Sequence, residues 1–545
     1  MPSVEQDFAF KFKVYTGNYG TSDINSFGIS TFTNSSPLVI DWGDGVLEEY
    51  DPSTLGIFHT YAEIATYTIS FKGILDPDMP FIYDYYYGSN TSDYSKIIEI
   101  VQFGRYFTVK SNTFNGTTYL LISDTKQPII DTNLTETFAN SYVYGNFNWD
   151  TSHVTSMNGT FTYCVIDENS IIGNPNFNTS SVIDMTGMFY GAQIYSDLSN
   201  IDTSNVIYMT DMFYFALYET ELNINNWNTS SVIDMSYMFA ESGAYSTYPF
   251  NFSIGNWDTS SVTSMEYMFV YNASFNQPLN TWDVSSVSNM TSMFQGAELF
   301  NQPLNSWDTS SAFYIGSMFA DTLAFNQPLN NWNTSNVRYM AGMFANAQAF
   351  DQDISTWNTT NVIDMGSMFA DAILFNQPLN NWDTSNVTIM YGMFLGADLF
   401  NQPLNNWNTS KVTDMSFMFR YANSFNQPLN LWDVSKVNNF SYMFANATAF
   451  NQSLADWNPV STGFTGNTFS NFMTGKTFNN YSTTNLDALY NSWSTKLPNR
   501  PSSPRNNMNF GTIRYTAASS TARQILRTAP KNYFITDGGI TTVIT

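Results

Sequence analysis

Tryptophan recurs at Trp257, Trp282, Trp307, Trp332, Trp357, Trp382, Trp407, Trp432 and Trp457, each 25 residues after the last. A strict period of that length rules out one globular core. Each unit is too short to bury an apolar face alone and shelters it against its neighbours, so such units occur in stacks with atypical ends. Looser copies at Trp149, Phe177, Ile201 and Trp227 bring the register to thirteen coils. With Trp as position 1, the template reads W-[DN]-[TV]-S-x-V-x-x-M-x-x-M-F-x-x-A-x-x-F-N-Q-P-L-N-x. Its apolar positions are 1, 6, 9, 12, 13, 16, 19 and 23, mostly three or four apart. One face of an extended strand repeats every two residues, so these side chains must line the inside of a turning coil. Of the 25 methionines, 21 stand at positions 9 and 12 and belong to this lining.

Within one coil, Gln377-Pro378-Leu379-Asn380-Asn381-Trp382 is predicted to supply a short strand, with Pro378 at its start, where a missing N–H is tolerated. Asp383-Thr384-Ser385 reads as a turn whose side chains cap backbone N–H groups, and Met390 to Phe394 as a short helical turn with Phe394 inward. Parallel strands stack about 4.8 Å apart, so thirteen coils would run on the order of 60 Å along such a face.

These residues resemble the BspA-type leucine-rich repeats of bacterial surface proteins, in their 25-residue FNQPLNNWDTSNVTxMxxMF variety. The FNQPLN hexapeptide begins at Phe275, Phe300, Phe325, Phe375, Phe400 and Phe425, and the likeness runs from about Ile98 to Gly539. It implies a leucine-rich-repeat-like solenoid with parallel strands on one face, and a role in surface adhesion or recognition. Departures at Asp351-Gln352-Asp353-Ile354 and at Ile315, which stands where most coils have Met, predict local kinks. The ending Tyr533-Phe534-Ile535-Thr536-Asp537-Gly538-Gly539 resembles the close of the same surface proteins.

The first residues follow another rule. Phe8-Ala9-Phe10-Lys11-Phe12-Lys13-Val14 alternates as a half-buried strand does. Gly43-Asp44-Gly45 reads as a tight turn after a buried strand, and Tyr67 falls where alternation points inward. Val39-Ile40-Asp41-Trp42-Gly43-Asp44-Gly45 with His59-Thr60-Tyr61 and Thr66-Tyr67-Thr68-Ile69 resembles PKD-type immunoglobulin-like sandwiches. The expected organisation is a PKD-like β-sandwich over 1–95, degenerate capping coils over 96–148, the solenoid over 149–480 and a C-terminal cap over 481–545. Helical spacing is read in Asn485–Trp493 and Thr521–Leu526. The fold class is mainly β with short helical turns.

Charge narrows the partners. The net charge is −26 and only 12% of residues are charged, which opposes nucleic-acid binding, because that depends on clustered Lys and Arg. Anionic membranes are disfavoured likewise, and no run approaches the ~18 apolar residues of a membrane span. Residues 149–457 carry 4 basic and 26 acidic groups, whereas 458–545 carry 8 and 2. The acidic coils are expected to keep an apolar-rich rod soluble, and self-association through the basic cap is the alternative reading. The opening MPSVEQDFAFKFKVY lacks a charged region followed by an apolar one, so no export signal is expected.

Catalytic residue types are scarce: two histidines, His59 and His153, and one cysteine, Cys164, at a small-residue core position. Carboxylates recur singly at position 2, as in Asp258, Asp283, Asp308, Asp383 and Asp433, but Asn alternates with them, which suits turn capping better than calcium. Neither metal nor cofactor is expected, nor enzymatic activity. Asn-Thr-Ser glycosylation triplets are a by-product of the period. Positions 7, 8, 10, 11, 14 and 15 are expected to face solvent, and their aromatics Tyr237, Tyr267, Tyr271, Tyr391, Phe417 and Tyr442 are the candidate binding residues; the plainer reading is that they cover joints between coils. The expected function is a surface-displayed adhesion or recognition protein that contacts protein or glycan on a host or neighbouring cell. A virion fibre or decoration protein is favoured over a bacterial cell-surface adhesin by the missing export signal, and a purely structural spacer is the other alternative.

Overall fold

The computed structural model describes residues 10–17, 25–31, 37–51, 55–72, 96–103, 107–117, 119–145, 147–167, 170–173, 176–243, 246, 248–461, 468–500 and 507–541. Residues 1–9, the first part of the opening read for an export signal, lie outside this set, as does Gly104. The chain falls into two compact units, 1–261 and 262–545, each mainly β.

In the first unit, β1 (Phe10–Tyr15) buries Phe10, Phe12 and Val14 while Lys11 and Lys13 turn outward, the period-two pattern of a strand with one core face. It is followed by β2 (Ser26–Thr31), β3 (Leu38–Asp41), β4 (Leu47–Tyr50), β5 (Leu55–Thr60), β6 (Thr66–Lys72) and β7 (Ile97–Gln102). Short strands β8 (Thr108–Val109), β9 (Tyr119–Ile122), β10 (Ile129–Ile130) and β11 (Tyr142–Gly145) come next. One seven-stranded sheet has the order β11-β9-β7-β1-β6-β3-β4, and β2 with β5 forms a second sheet. The large sheet is antiparallel between β1 and β7, then parallel through β7, β9 and β11. The N-terminal strands thereby pair the edge that the first coils leave, and an unpaired edge is a liability.

The turn between β3 and β4 wraps Trp42, which is fully buried, stacked on His59 with centroids 4.8 Å apart, and bonded through its indole N–H to Glu48 at 2.8 Å. Gly43 has φ 82°, and a Cβ there would overlap the Thr68 carbonyl, so this turn needs glycine. Tyr67 is half-buried and stacks on the buried Tyr61 at 3.9 Å. Cys164 is buried and its thiol donates to the Phe138 carbonyl at 2.7 Å; burial pushes the thiol up to about 12. His153 meets the Ile130 carbonyl at 2.7 Å. Farther along, β12 (Val165–Ile166), β13 (Gln193–Ile194) and β14 (Leu217–Tyr218) form another parallel set.

The second unit shows the repeat at its most regular. Trp382, Val387, Met390, Met393, Phe394, Phe400 and Leu404 are all buried, which places positions 1, 6, 9, 12, 13, 19 and 23 inside. Three aromatic columns run through the coils. Phe344, Phe369 and Phe394 stack at 5.8 and 5.7 Å, Phe350, Phe375 and Phe400 at 6.0 Å, and Trp357, Trp382 and Trp407 at 6.4 and 6.5 Å. These repeats exceed the roughly 4.8 Å between paired strands, so strand spacing does not set the coil separation in the aromatic columns. From Trp307 to Trp457 each repeat tryptophan donates its indole N–H to the Leu or Ile carbonyl 28 residues earlier, as Trp407 does to Leu379 at 2.9 Å. Buried Thr384 reaches the Asn408 carbonyl of the next coil at 3.0 Å.

Two expectations about the coil are corrected. Gln377–Trp382 is not a strand. There Asn376 replaces backbone pairing with its side chain: its Oδ1 accepts the Asn401 N–H at 3.0 Å and the Gln402 amide at 3.2 Å. The same ladder passes from Asn276 through Asn301, Asn326, Asp351, Asn376, Asn401 and Asn426 to Asn451. Backbone pairing instead lies at position 8, where single parallel bridges join Asp364 to Ile389 and Ile389 to Asp414. Nor is the ladder broken at the irregular coils, since Asp351 accepts from Asn376 at 2.9 Å and the Ile315 N–H reaches Tyr339 at 3.0 Å.

The end of the chain imitates one more coil. Helix α1 (Thr483–Lys496) is N-capped by Ser482, and its Trp493 indole donates to Leu454 at 3.3 Å, the bond that the tryptophan of a following coil would make. Ser482 N–H and the Asn485 amide continue the amide ladder on Asn451. Helix α2 (Ser520–Arg527) and the parallel strands β15 (Asn507–Asn509) and β16 (Phe534–Thr536) complete the unit. Among the described residues no helix is long and apolar enough to cross a membrane.

Candidate functional site

Between positions 8 and 16 each coil is a run of turns, and its hydrogen bonds explain which side chains reach solvent. In the coil of Trp357, the N–H groups of Met365, Ser367, Phe369 and Asp371 donate to Ile389, Tyr391, Met393 and Leu395 of the next coil at 3.1, 2.7, 2.9 and 2.6 Å. Those of Met368, Ala370 and Ala372 close turns within the coil, and the Gly366 N–H is held by Asp364 Oδ1 at 2.8 Å. Every donor from 365 to 372 is thus satisfied, as buried backbone requires. This alternation sets positions 11 and 15 in the left-handed region, whether the residue is Gly342, Ser367, Tyr267, Phe417 or Tyr442 at position 11, or Asp371 or Tyr421 at position 15. Left-handed backbone costs a non-glycine residue roughly 1–2 kcal/mol, and the ladder bond of the same residue offsets it. Neighbouring turns press so closely that small side chains such as Ala320, Ala370 and Ser292 are buried. The expectation that positions 7, 8, 10, 11, 14 and 15 all face water is corrected: small side chains at positions 11 and 14 can be covered, as in Ser292, Ala320 and Ala370, whereas position 7 is exposed in Thr263, Ser288 and Thr413.

Aromatic side chains at these positions form rows across coils. In the first unit Tyr163, Tyr190, Tyr214 and Tyr237 follow one another, with centroids 5.5, 5.0 and 6.2 Å apart, and Phe215 lies 4.8 Å from Tyr214. Burial, followed by its neighbour Tyr163, pushes the Tyr190 phenol up to about 12, so it remains a neutral donor. Gly191 has φ 62° and a Cβ there would overlap the Tyr163 ring, so this glycine makes room for the start of the row.

A match across residues 132–248, 215–330, 304–398 and 374–486 links the chain to the family described as "Mycoplasma protein of unknown function, DUF285". The chain belongs to this family. No curated protein matches it.

In the second unit of this DUF285-repeat chain, Tyr314 and Tyr339 stack at 5.2 Å beside Phe313, over which the Arg338 guanidinium lies at 5.5 Å. Phe417 and Tyr442 stack at 4.9 Å. Of the residues singled out from sequence, Tyr237 joins the first-unit row, and Phe417 and Tyr442 form a pair. Tyr271 and Tyr391, 52% and 43% exposed, join no aromatic row among the described residues, each lying where a Cβ on a neighbouring coil's glycine, Gly296 or Gly366, would meet it. Tyr267 is half-buried. Tyr163, Tyr190, Tyr214, Phe215, Phe313, Tyr314, Tyr339 and Tyr421 were missed. They stand at positions 7, 8, 14 and 15, and reading those positions together down successive coils would have found them.

The charged groups have structural work nearby. Position-2 carboxylates hold turns, as Asp383 Oδ1 accepts the Ser385 N–H at 2.9 Å. Asp364 and Asp371 have carboxyls raised by burial. Among the basic residues after 457, Lys476 donates to Ala447 and Thr448, Lys496 to Ala455, Asp456 and Trp457, and Lys531 to Leu497. Burial lowers the Lys476 ammonium to about 8. Arg523 makes a two-pronged pair with Asp537 at 2.6 and 3.0 Å. Much of the basic end therefore holds carbonyls and one carboxylate inside its own unit.

Proposed function

We propose that this DUF285-repeat chain is a non-enzymatic recognition protein displayed on a surface, and that its aromatic rows contact protein or glycan on a host or neighbouring cell. The observation that carries the reading is the row Tyr163–Tyr190–Tyr214–Tyr237, held by backbone that the coil-to-coil ladder fixes. Tyrosine supplies broad amphipathic contact at little entropic cost, and Ser, Asn and Gly beside it adapt hydrogen bonds, the composition that recognition loops use. The rings, in edge-on, stacked and tilted contact in turn, meet the partner already ordered, so binding loses less side-chain freedom. In this reading the paired N-terminal sheets are a PKD-like sandwich that anchors or spaces BspA-type coils, and the carrier surface is a virion.

The test compares the full chain with a Tyr163→Ala/Tyr190→Ala/Tyr214→Ala variant on intact cells and on a glycan array, after matched unfolding midpoints are verified. Central aromatic anchors each carry about 2 kcal/mol or more in an interface, and the loss of one is about thirtyfold, so capture by the triple variant falls by about thirtyfold or more. Equal capture by both proteins rejects the row as the recognition surface.

A further inference from the structure

Arg420 departs from the pattern of its coil position and of its surroundings. Residues 149–457 hold 4 basic groups against 26 acidic ones. At position 14, where Arg420 stands, the other coils of the second unit have Val270, Gln295, Ala320, Ala345, Ala370, Leu395 and Ala445. Lys411, in the same coil, is bonded to Asn386 Oδ1 at 2.6 Å. Arg420 forms no ion pair among the described residues, and its Nε is buried without a hydrogen-bond partner. What surrounds it is aromatic: its Cζ lies 5.6, 4.9 and 5.1 Å from the ring centroids of Phe417, Tyr421 and Tyr442. The rings hold the cation within cation–π range, yet they accept none of its N–H bonds in the plane of the fork.

We propose that Arg420, with Phe417, Tyr421 and Tyr442, binds the carboxylate of an acidic sugar residue. This rests on the recognition reading above and names its ligand class. With Nε buried, the two terminal guanidinium nitrogens form the fork that meets a planar carboxylate with two parallel bonds, which a lysine cannot do. The ligand carries one isolated negative charge on a neutral body, because the −22 of the surrounding coils repels dense polyanions. Tyr421 is 44% exposed and sets an amphipathic ring next to the guanidinium, a surface for the C–H face of a pyranose.

The full chain is applied to an array of sialic-acid- and glucuronate-terminated oligosaccharides, the same oligosaccharides with neutral termini, sulfated and phosphorylated forms, and peptides ending in a free carboxylate. Expected is a preference of about tenfold or more for the carboxylated sugars over their neutral counterparts, the scale of a hydrogen bond to a charged group. Arg420→Gln abolishes that preference, and Arg420→Lys loses most of it although the charge remains. The Tyr163/Tyr190/Tyr214 alanine variant, whose rings lie in the first unit, leaves the ratio of acidic to neutral sugar unchanged. Unfolding midpoints equal to wild type show that the Arg420 variants are folded, and Tyr421→Ala, which leaves the guanidinium in place, is expected to weaken sugar binding as well. An unchanged acidic-to-neutral ratio in Arg420→Gln overturns the proposal, as does preference for sulfate, phosphate or the peptides. If the wild type binds cells but ignores acidic sugars, this inference fails alone; if it binds neither cells nor any arrayed ligand, the recognition reading fails with it.

Discussion

Replacing Phe369 by alanine is expected to destabilise the second unit by about 3–5 kcal/mol, the usual cost of emptying a buried aromatic site. Phe369 is fully buried, stacked between Phe344 and Phe394 and 4.0 Å from Phe375, with Trp382 at 6.3 Å. The void would open in the middle of a column, where coils above and below are fixed by their own ladder bonds and cannot close on it. Urea unfolding followed by tryptophan fluorescence reads the loss as a lower midpoint. Tyr391→Ala in the adjacent coil removes a ring that is already 43% exposed and should stay within about 0.5 kcal/mol of wild type, as surface changes do. Similar midpoints for the two variants would show that the aromatic columns do not hold the coils together.

The second large effect concerns the amide ladder. Asp351→Leu is expected to cost about 1–3 kcal/mol, because the Asn376 N–H and the Gln377 amide, both bonded to Asp351 Oδ1 at 2.9 Å, lose their acceptor while partly shielded from water. Asp351→Asn restores the template residue, keeps the acceptor oxygen and should fall within about 0.5 kcal/mol of wild type. The comparison separates shape from charge. If Asn were as damaging as Leu, the carboxylate itself would matter and the ladder account would be wrong at this coil.

What the sequence reveals follows from how each feature is encoded. The inward Trp, Met, Phe and Leu are legible because a period of 25 leaves no other place to bury them, and position 2 is legible because Asp and Asn share the one property a turn cap needs, a side-chain oxygen. The two C-terminal helices follow from their spacing. The strand expected over Gln377–Trp382 fails for a physical reason: Asn376 carries the inter-coil bond on its side chain, which a backbone reading overlooks. The left-handed positions are hidden because the coil-to-coil ladder imposes them on Phe417 and Tyr442 as readily as on Gly392, with no glycine to signal them. Four of the six aromatics expected to bind, Tyr237, Tyr267, Phe417 and Tyr442, share position 11, whereas Tyr163, Tyr190 and Tyr214 stand at positions 15, 14 and 14 and become neighbours only when coils are laid side by side. Arg420, a lone arginine among acids, reads as surface charge until its rings are placed around it.

Hydrogen exchange across Met365–Ala372 tests the stacked-coil account most directly. With each of these amides bonded to the next coil, to its own turn or to Asp364, they should all exchange slowly and together, at rates that follow unfolding of the repeat array. Exchange at the speed of an unstructured peptide over this stretch would contradict it.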